Sequence, residues 1–109
     1  MVERDWPSAR EKVELDGVCR TCPRTDNLDP AHLWPRSLGG TEAWNNIVAL
    51  CRSCHNAFDH GELDLGPHLT LAEKMEVVEQ AEINGRRDGL DAAHTRLFPS
   101  AHPERKVRV

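Results

Sequence analysis

With 109 residues, 39% of them hydrophobic and 5% aromatic, the chain has room for one domain but too little apolar surface for a comfortable core without a staple. A net charge of −4 and a pI near 5.8 exclude a broad, non-specific basic surface for nucleic acid. The N-terminal MVERDWPSAREK carries charges of both signs, and nowhere do about 18 consecutive apolar residues occur, so a soluble, cytoplasmic protein with no membrane contact is expected.

The charge is uneven. Glu62, Asp64, Glu73, Glu76, Glu79 and Glu82 face only Lys74 in their stretch, whereas Arg20, Arg24, Arg36 and Arg52 outnumber Asp26, Asp29 and Glu42 in the first half. An acidic side helix can therefore coexist with a less acidic working face.

In chain order, Trp6, Ala9, Val13 and Leu15 fall at helical spacing after a Trp-Pro start, predicting a helix over about residues 5–15 that Gly17 ends. Cys19-Arg-Thr-Cys22-Pro23 reads as a tight metal-binding turn. Pro30 and Pro35 argue against an unbroken strand in the next segment, leaving a short strand at 31–34. Gly39-Gly40 mark a turn, residues 46–50 (NIVAL) form a second short strand, and a helix follows from about Ser53, giving a ββα unit. After a loop marked by Gly61 and Gly66-Pro67, Thr70 and Glu73 form a capping-box signature. The helix it opens places Leu71, Met75, Val78 and Ala81 on one face as core packing and stops at Gly85. A weaker helix is expected over about 90–98, ended by Pro99, and the tail SAHPERKVRV has no periodicity. The organisation is a single domain over 1–109, with its core at about 18–60, a helical extension at about 70–98 and a flexible tail at 99–109.

Cys19-x-x-Cys22 and Cys51-x-x-Cys54 supply two thiolate pairs, each able to wrap one edge of a tetrahedral zinc ion. In a reducing compartment, cysteines so paired are metal ligands rather than disulfides. Cys51-Arg-Ser-Cys54-His55 also satisfies a haem-attachment pattern, but that reading leaves Cys19 and Cys22 idle, and a redox dithiol needs only one pair. The stretch between the pairs is longer than in a compact zinc ribbon, so the metal holds an insertion that contains His32 and the glycine turn.

The order of a Cys-x-x-Cys knuckle, then AHLWPRSLGG, then NNIVALCRSCH resembles the HNH endonuclease family across about residues 18–60. The resemblance implies an α+β fold built on a ββα-metal (His-Me finger) core, stapled by a four-cysteine zinc site and flanked by helices. It implies a metal-dependent endonuclease that hydrolyses DNA phosphodiester bonds to 5′-phosphate and 3′-hydroxyl ends. His32 matches the general-base histidine, a role suited to an imidazole that is neutral yet basic near pH 7. Asn46 matches the asparagine that braces the loop and orients the base, and is preferred over Asn45 because it directly precedes the apolar run. His55 matches the metal-binding histidine, and Asp59, one helical turn later, shares its face and offers a second ligand.

The chain departs from the family's commonest pattern at Ala31, where an acidic residue or a second histidine is usual. Asp29, a water or the substrate phosphate must then complete the ion's shell. Magnesium or manganese suits so few protein ligands, and the histidine tilts the choice towards manganese or another divalent transition ion. Arg36 and Arg52 flank the centre as candidates to hold phosphates. Trp34 and Trp44 read as core of the ββα unit rather than base-stacking platforms. The flanks resemble small bacteriophage HNH proteins, some of which work beside the large subunit of the packaging terminase. One centre cuts one strand, so a duplex break needs a homodimer, a partner or two visits. The rival classes are a zinc-stapled module that binds nucleic acid or protein without catalysis, and a purely structural subunit of a larger assembly.

Overall fold

The computed structural model describes residues 8–102. The described chain runs α1 (Ala9–Asp16), β1 (Leu28–His32), β2 (Ile47–Cys51), α2 (Arg52–Asp59), α3 (Leu71–Ile83) and α4 (Gly89–Leu97), with short 3-10 turns between them. It is a small α+β arrangement in which β1 and β2 form an antiparallel pair in the register Leu28↔Cys51 to His32↔Ile47. Among the described residues no helix is long and apolar enough to cross a membrane.

The first helix starts later than its Trp-Pro signal suggests. Ser8 is extended and caps it by accepting from the Glu11 N–H, while the Glu11 carboxylate accepts from the Ser8 N–H, a reciprocal box that fixes the start at Ala9. Residues 5–7 of the expected helix lie outside the described residues. Gly17, at φ 70°, ends it as expected.

The first strand is also displaced, spanning Leu28–His32 instead of 31–34. Pro30 is tolerated because its partner Ala49 turns its carbonyl to the other edge, where it accepts from the Arg20 N–H at 2.9 Å. Pro30 thus falls at a position where the ladder asks for no donor.

All five residues of β2 are buried. Val48 and Leu50 point into the main core with Leu33, Trp34, Phe58, Leu65, Val77 and Leu97. The alternate face is covered by α1, whose buried Lys12 ammonium donates to the Trp44 and Ile47 carbonyls and lies over the Trp44 ring.

The third helix begins at the expected Thr70–Glu73 capping box, and of its expected buried face Ala81 is buried and Val78 packs against the core, but Leu71 and Met75 do not. Leu71 is 75% and Met75 56% exposed, while Glu73, Val77, Gln80 and Ala81 are buried. This is still an i, i+4, i+7, i+8 stripe, rotated because its polar members find partners. Glu73 takes a bidentate bond from Arg20 at 2.7 and 3.1 Å, and Gln80 exchanges bonds with Thr41 at 3.0 Å in each direction. The helix thus braces both the first knuckle and the glycine turn. Within that turn Gly40 is obligatory: a Cβ there would meet the Trp34 carbonyl oxygen at 1.8 Å.

The tail expected from residue 99 is ordered at its start. Pro99 is buried, and Ser100 bonds the Asp64 carboxylate through both its N–H and its hydroxyl. Residues 103–109 lie outside the described residues.

Candidate active site

The two knuckles meet. The Sγ atoms of Cys19, Cys22, Cys51 and Cys54 all lie within 4.8 Å of one another, and no disulfide joins them. Cys22 and Cys51 are 3.7 Å apart, close to the roughly 3.8 Å edge of a tetrahedron built on 2.3 Å zinc–sulfur bonds. Cys51 and Cys54 sit at the start of α2. Burial opposes ionisation of Cys19, but hydrogen bonds from the Cys51 and Thr21 backbone hold its thiol down to about 6. The Thr21 hydroxyl favours the Cys54 thiolate, but burial and the neighbouring Cys51 and Cys19 push that thiol up to about 12. Four sulfurs this close do not all ionise without a cation among them, so the donor set fits zinc.

His32 ends β1, and the chain then turns through Leu33 and Trp34 under the control of Asn46. The Asn46 side chain is fully buried, accepts from the Trp34 N–H at 2.8 Å and donates to the Trp34 and Thr41 carbonyls at 3.1 and 2.8 Å. One amide thereby satisfies three backbone groups that the strand no longer pairs. Among the described residues it is Asn46, and not Asn45, whose amide clamps this loop.

His32 is largely buried. Its Nε2 has no hydrogen-bond partner among the described residues and lies 3.8 Å from the Glu42 carboxylate. Burial holds its pKa below the ordinary 6.5, with Glu42 opposing and the Arg36 charge adding to the fall. The imidazole is neutral at pH 7.

His55 and Asp59 share one face of α2, as their spacing requires, with Nε2 3.4 Å from Asp59 Oδ2. For ligand bonds of about 2.1 Å, adjacent positions around an ion are about 3.0 Å apart and opposite ones about 4.2 Å. The imidazole and carboxylate therefore fit as two neighbouring ligands of one divalent ion. Asp29 lies 3.6 Å from the other ring nitrogen, Nδ1, and is tied to Arg52 through two 3.3 Å contacts. It is placed to orient the ring from behind, as carboxylates commonly do behind metal-binding histidines. Arg52 is exposed and turned to Asp29; it is not part of the pocket lining. Among the described residues only the cysteines bring three or more His, Cys, Asp or Glu ligand atoms within 4.8 Å of one another.

His32, Pro35, Arg36, Ser37, His55, Asp59 and Arg96 line one pocket of about 170 Å³. Arg96 is the member that sequence reasoning missed. It arrives from α4, 97% buried, with Nε donating to the Leu33 carbonyl at 3.1 Å, its guanidinium 4.0 Å over the Phe58 ring and Nη2 3.5 Å from Asp59. Burial pulls its pKa down to about 10 against the Asp59 charge, which leaves it cationic at neutral pH.

The arrangement is a ββα unit in which four clustered cysteines could hold a zinc ion, one histidine closes the first strand and a His-Asp pair lies on the following helix. Residues 17–65 match the model of a family described as HNH endonuclease. No curated protein and no solved structure matches the chain.

Proposed function

We propose that this chain is a metal-dependent endonuclease that hydrolyses phosphodiester bonds of DNA. The observation that carries the reading is the convergence of His32, His55, Asp59, Arg36 and Arg96 on one pocket, within a module whose family suggests nuclease chemistry. His32, neutral and sheltered, accepts the proton of the attacking water. Asn46 keeps the loop after His32 in shape and so fixes the direction of the imidazole. His55 and Asp59 hold a divalent ion such as magnesium or manganese, which when bound supplies charge stabilisation for the phosphate and leaving oxygen. Asp29 steadies the His55 ring rather than joining the shell. Ala31 offers the ion no ligand, so His55 and Asp59 would be the residues that hold it. Arg36 meets the phosphate from the other wall. Zinc on the four cysteines fixes β2 and the start of α2, and so sets His32 against His55.

The narrower reading, a phage-type protein that processes DNA beside a terminase large subunit, follows from the resemblance of the flanks alone.

The test is relaxation of supercoiled plasmid in magnesium, manganese or nickel, with end-group analysis of the nicks. Metal-dependent nicking that leaves 5′-phosphates supports the reading. A zinc-loaded, folded protein that binds DNA and cuts nothing in any metal supports the binding module instead.

A further inference from the structure

Arg96 lies on α4, beyond the segment that matches the HNH family, yet its guanidinium forms part of the pocket wall. Its packing is one-sided. One face of the guanidinium lies over the Phe58 ring, Nε is used by the Leu33 carbonyl, and Asp59 supplies a loose contact to Nη2 at 3.5 Å, longer than a good charge-assisted hydrogen bond. Among the described residues Nη1 has no hydrogen-bond partner. Nη1 is not a buried orphan, so it reaches the pocket's solvent and leaves donor capacity that an anionic ligand can take up. The open side faces a pocket whose other titratable or charged walls are His32, His55, Asp59 and Arg36. A tetrahedral oxyanion is the ligand that such a fork accepts.

We propose that Arg96 is a phosphate-binding residue of this site, supplied by the C-terminal helical extension, and that it couples DNA binding to binding of the divalent ion; the proposal rests on the nuclease reading above. In the free protein Asp59 serves two claims, the ion and Arg96. When the ion takes Asp59, the buried guanidinium loses its counter-charge, and a backbone phosphate replaces it. Without DNA, Arg96 competes with the ion for the carboxylate and weakens ion binding. With DNA present that competition ends, so each ligand raises the affinity for the other by the same factor.

The experiment measures two affinities on Arg96→Met and on the unaltered chain, each checked for zinc content and circular dichroism. A fluorescein-labelled DNA duplex is titrated by fluorescence anisotropy with no divalent ion added, and Mn²⁺ is titrated without DNA by electron paramagnetic resonance. The proposal expects duplex affinity to fall about tenfold, the scale of one charge-assisted fork, while Mn²⁺ binding tightens severalfold. A merely structural role would weaken both together, and that result overturns the proposal, as does unchanged affinity for both. Should Arg96→Met fail to fold, Arg96→Lys keeps a charge without the fork and is expected to lose duplex affinity severalfold; wild-type affinity in that variant overturns the proposal. If Arg96→Met shows both effects but the unaltered chain cuts no plasmid, the nuclease reading falls and Arg96 stands as a phosphate ligand. Wild-type protein that cuts, beside an Arg96→Met variant that binds as it does, removes the Arg96 proposal alone.

Discussion

Replacing Asn46 by alanine removes the clamp on the loop that carries His32 into the site. The amide makes three hydrogen bonds, to the Trp34 N–H, the Trp34 carbonyl and the Thr41 carbonyl, and is itself fully buried. At about 1 kcal/mol net per bond the loss is about 3 kcal/mol, before any extra cost of leaving three backbone groups bare. Against a total of about 5–15 kcal/mol for a domain, this is a large fraction, and it corresponds to roughly 15 °C in Tm at this chain length. Asn46→Asp keeps the acceptor for the Trp34 N–H but points a negative charge at two carbonyls, so it is expected to be at least as destabilising. The assay is urea unfolding followed by tryptophan fluorescence at saturating zinc, comparing midpoints at constant m. Trp34 itself is a buried reporter of the loop. A loss below about 1 kcal/mol would show that water replaces the amide and that the clamp does not hold the loop, refuting the reasoning.

Zinc should be present at one ion per chain, and its removal by a chelator should unfold the protein, because structural zinc contributes about 10–16 kcal/mol, as much as the whole stability of a small domain; a folded zinc-free chain by circular dichroism would contradict this. Glu73→Gln breaks the bidentate pair with Arg20 that ties the first knuckle to α3, and should cost about 2 kcal/mol in urea unfolding. The pH dependence of cleavage has a defined sign. As the proposed base His32 would act unprotonated, and burial places its folded pKa below 6.5, so kcat/KM should rise along an acid limb with its midpoint below pH 6.5 and level off above it. Glu42 opposes that depression, so Glu42→Gln should move the limb further towards acid; a shift towards alkaline pH would contradict the assignment.

Local signals carried much of this molecule. The paired knuckles, the Thr70–Glu73 box, the stop at Gly17 and the apolar run of β2 all depend on neighbours within a few residues, and the structure has each of them. What was not legible depends on partners distant in sequence. Pro30 reads as a strand breaker until the Arg20 N–H is seen to take the Ala49 carbonyl away from it. Glu73 and Gln80 read as surface letters until Arg20 and Thr41 arrive to satisfy them, which rotates α3 and exposes Leu71 and Met75. Arg96 left one usable trace. It stands one turn after Ala92 and beside Leu97, so a helix that buries its small residues must bury that arginine as well, and a buried arginine calls for an acid. Finding that the acid is Asp59, on a helix far back in the chain, needed the fold.

The central claim is that His32 takes the proton from the attacking water. It is tested most directly by the single-turnover cleavage rate of His32→Ala on a labelled duplex in manganese, measured alongside its duplex affinity and zinc content. The account predicts a rate lowered by at least about 100-fold, the contribution of a positioned general base, with DNA affinity and zinc unchanged. Cleavage within a few-fold of wild type would contradict it.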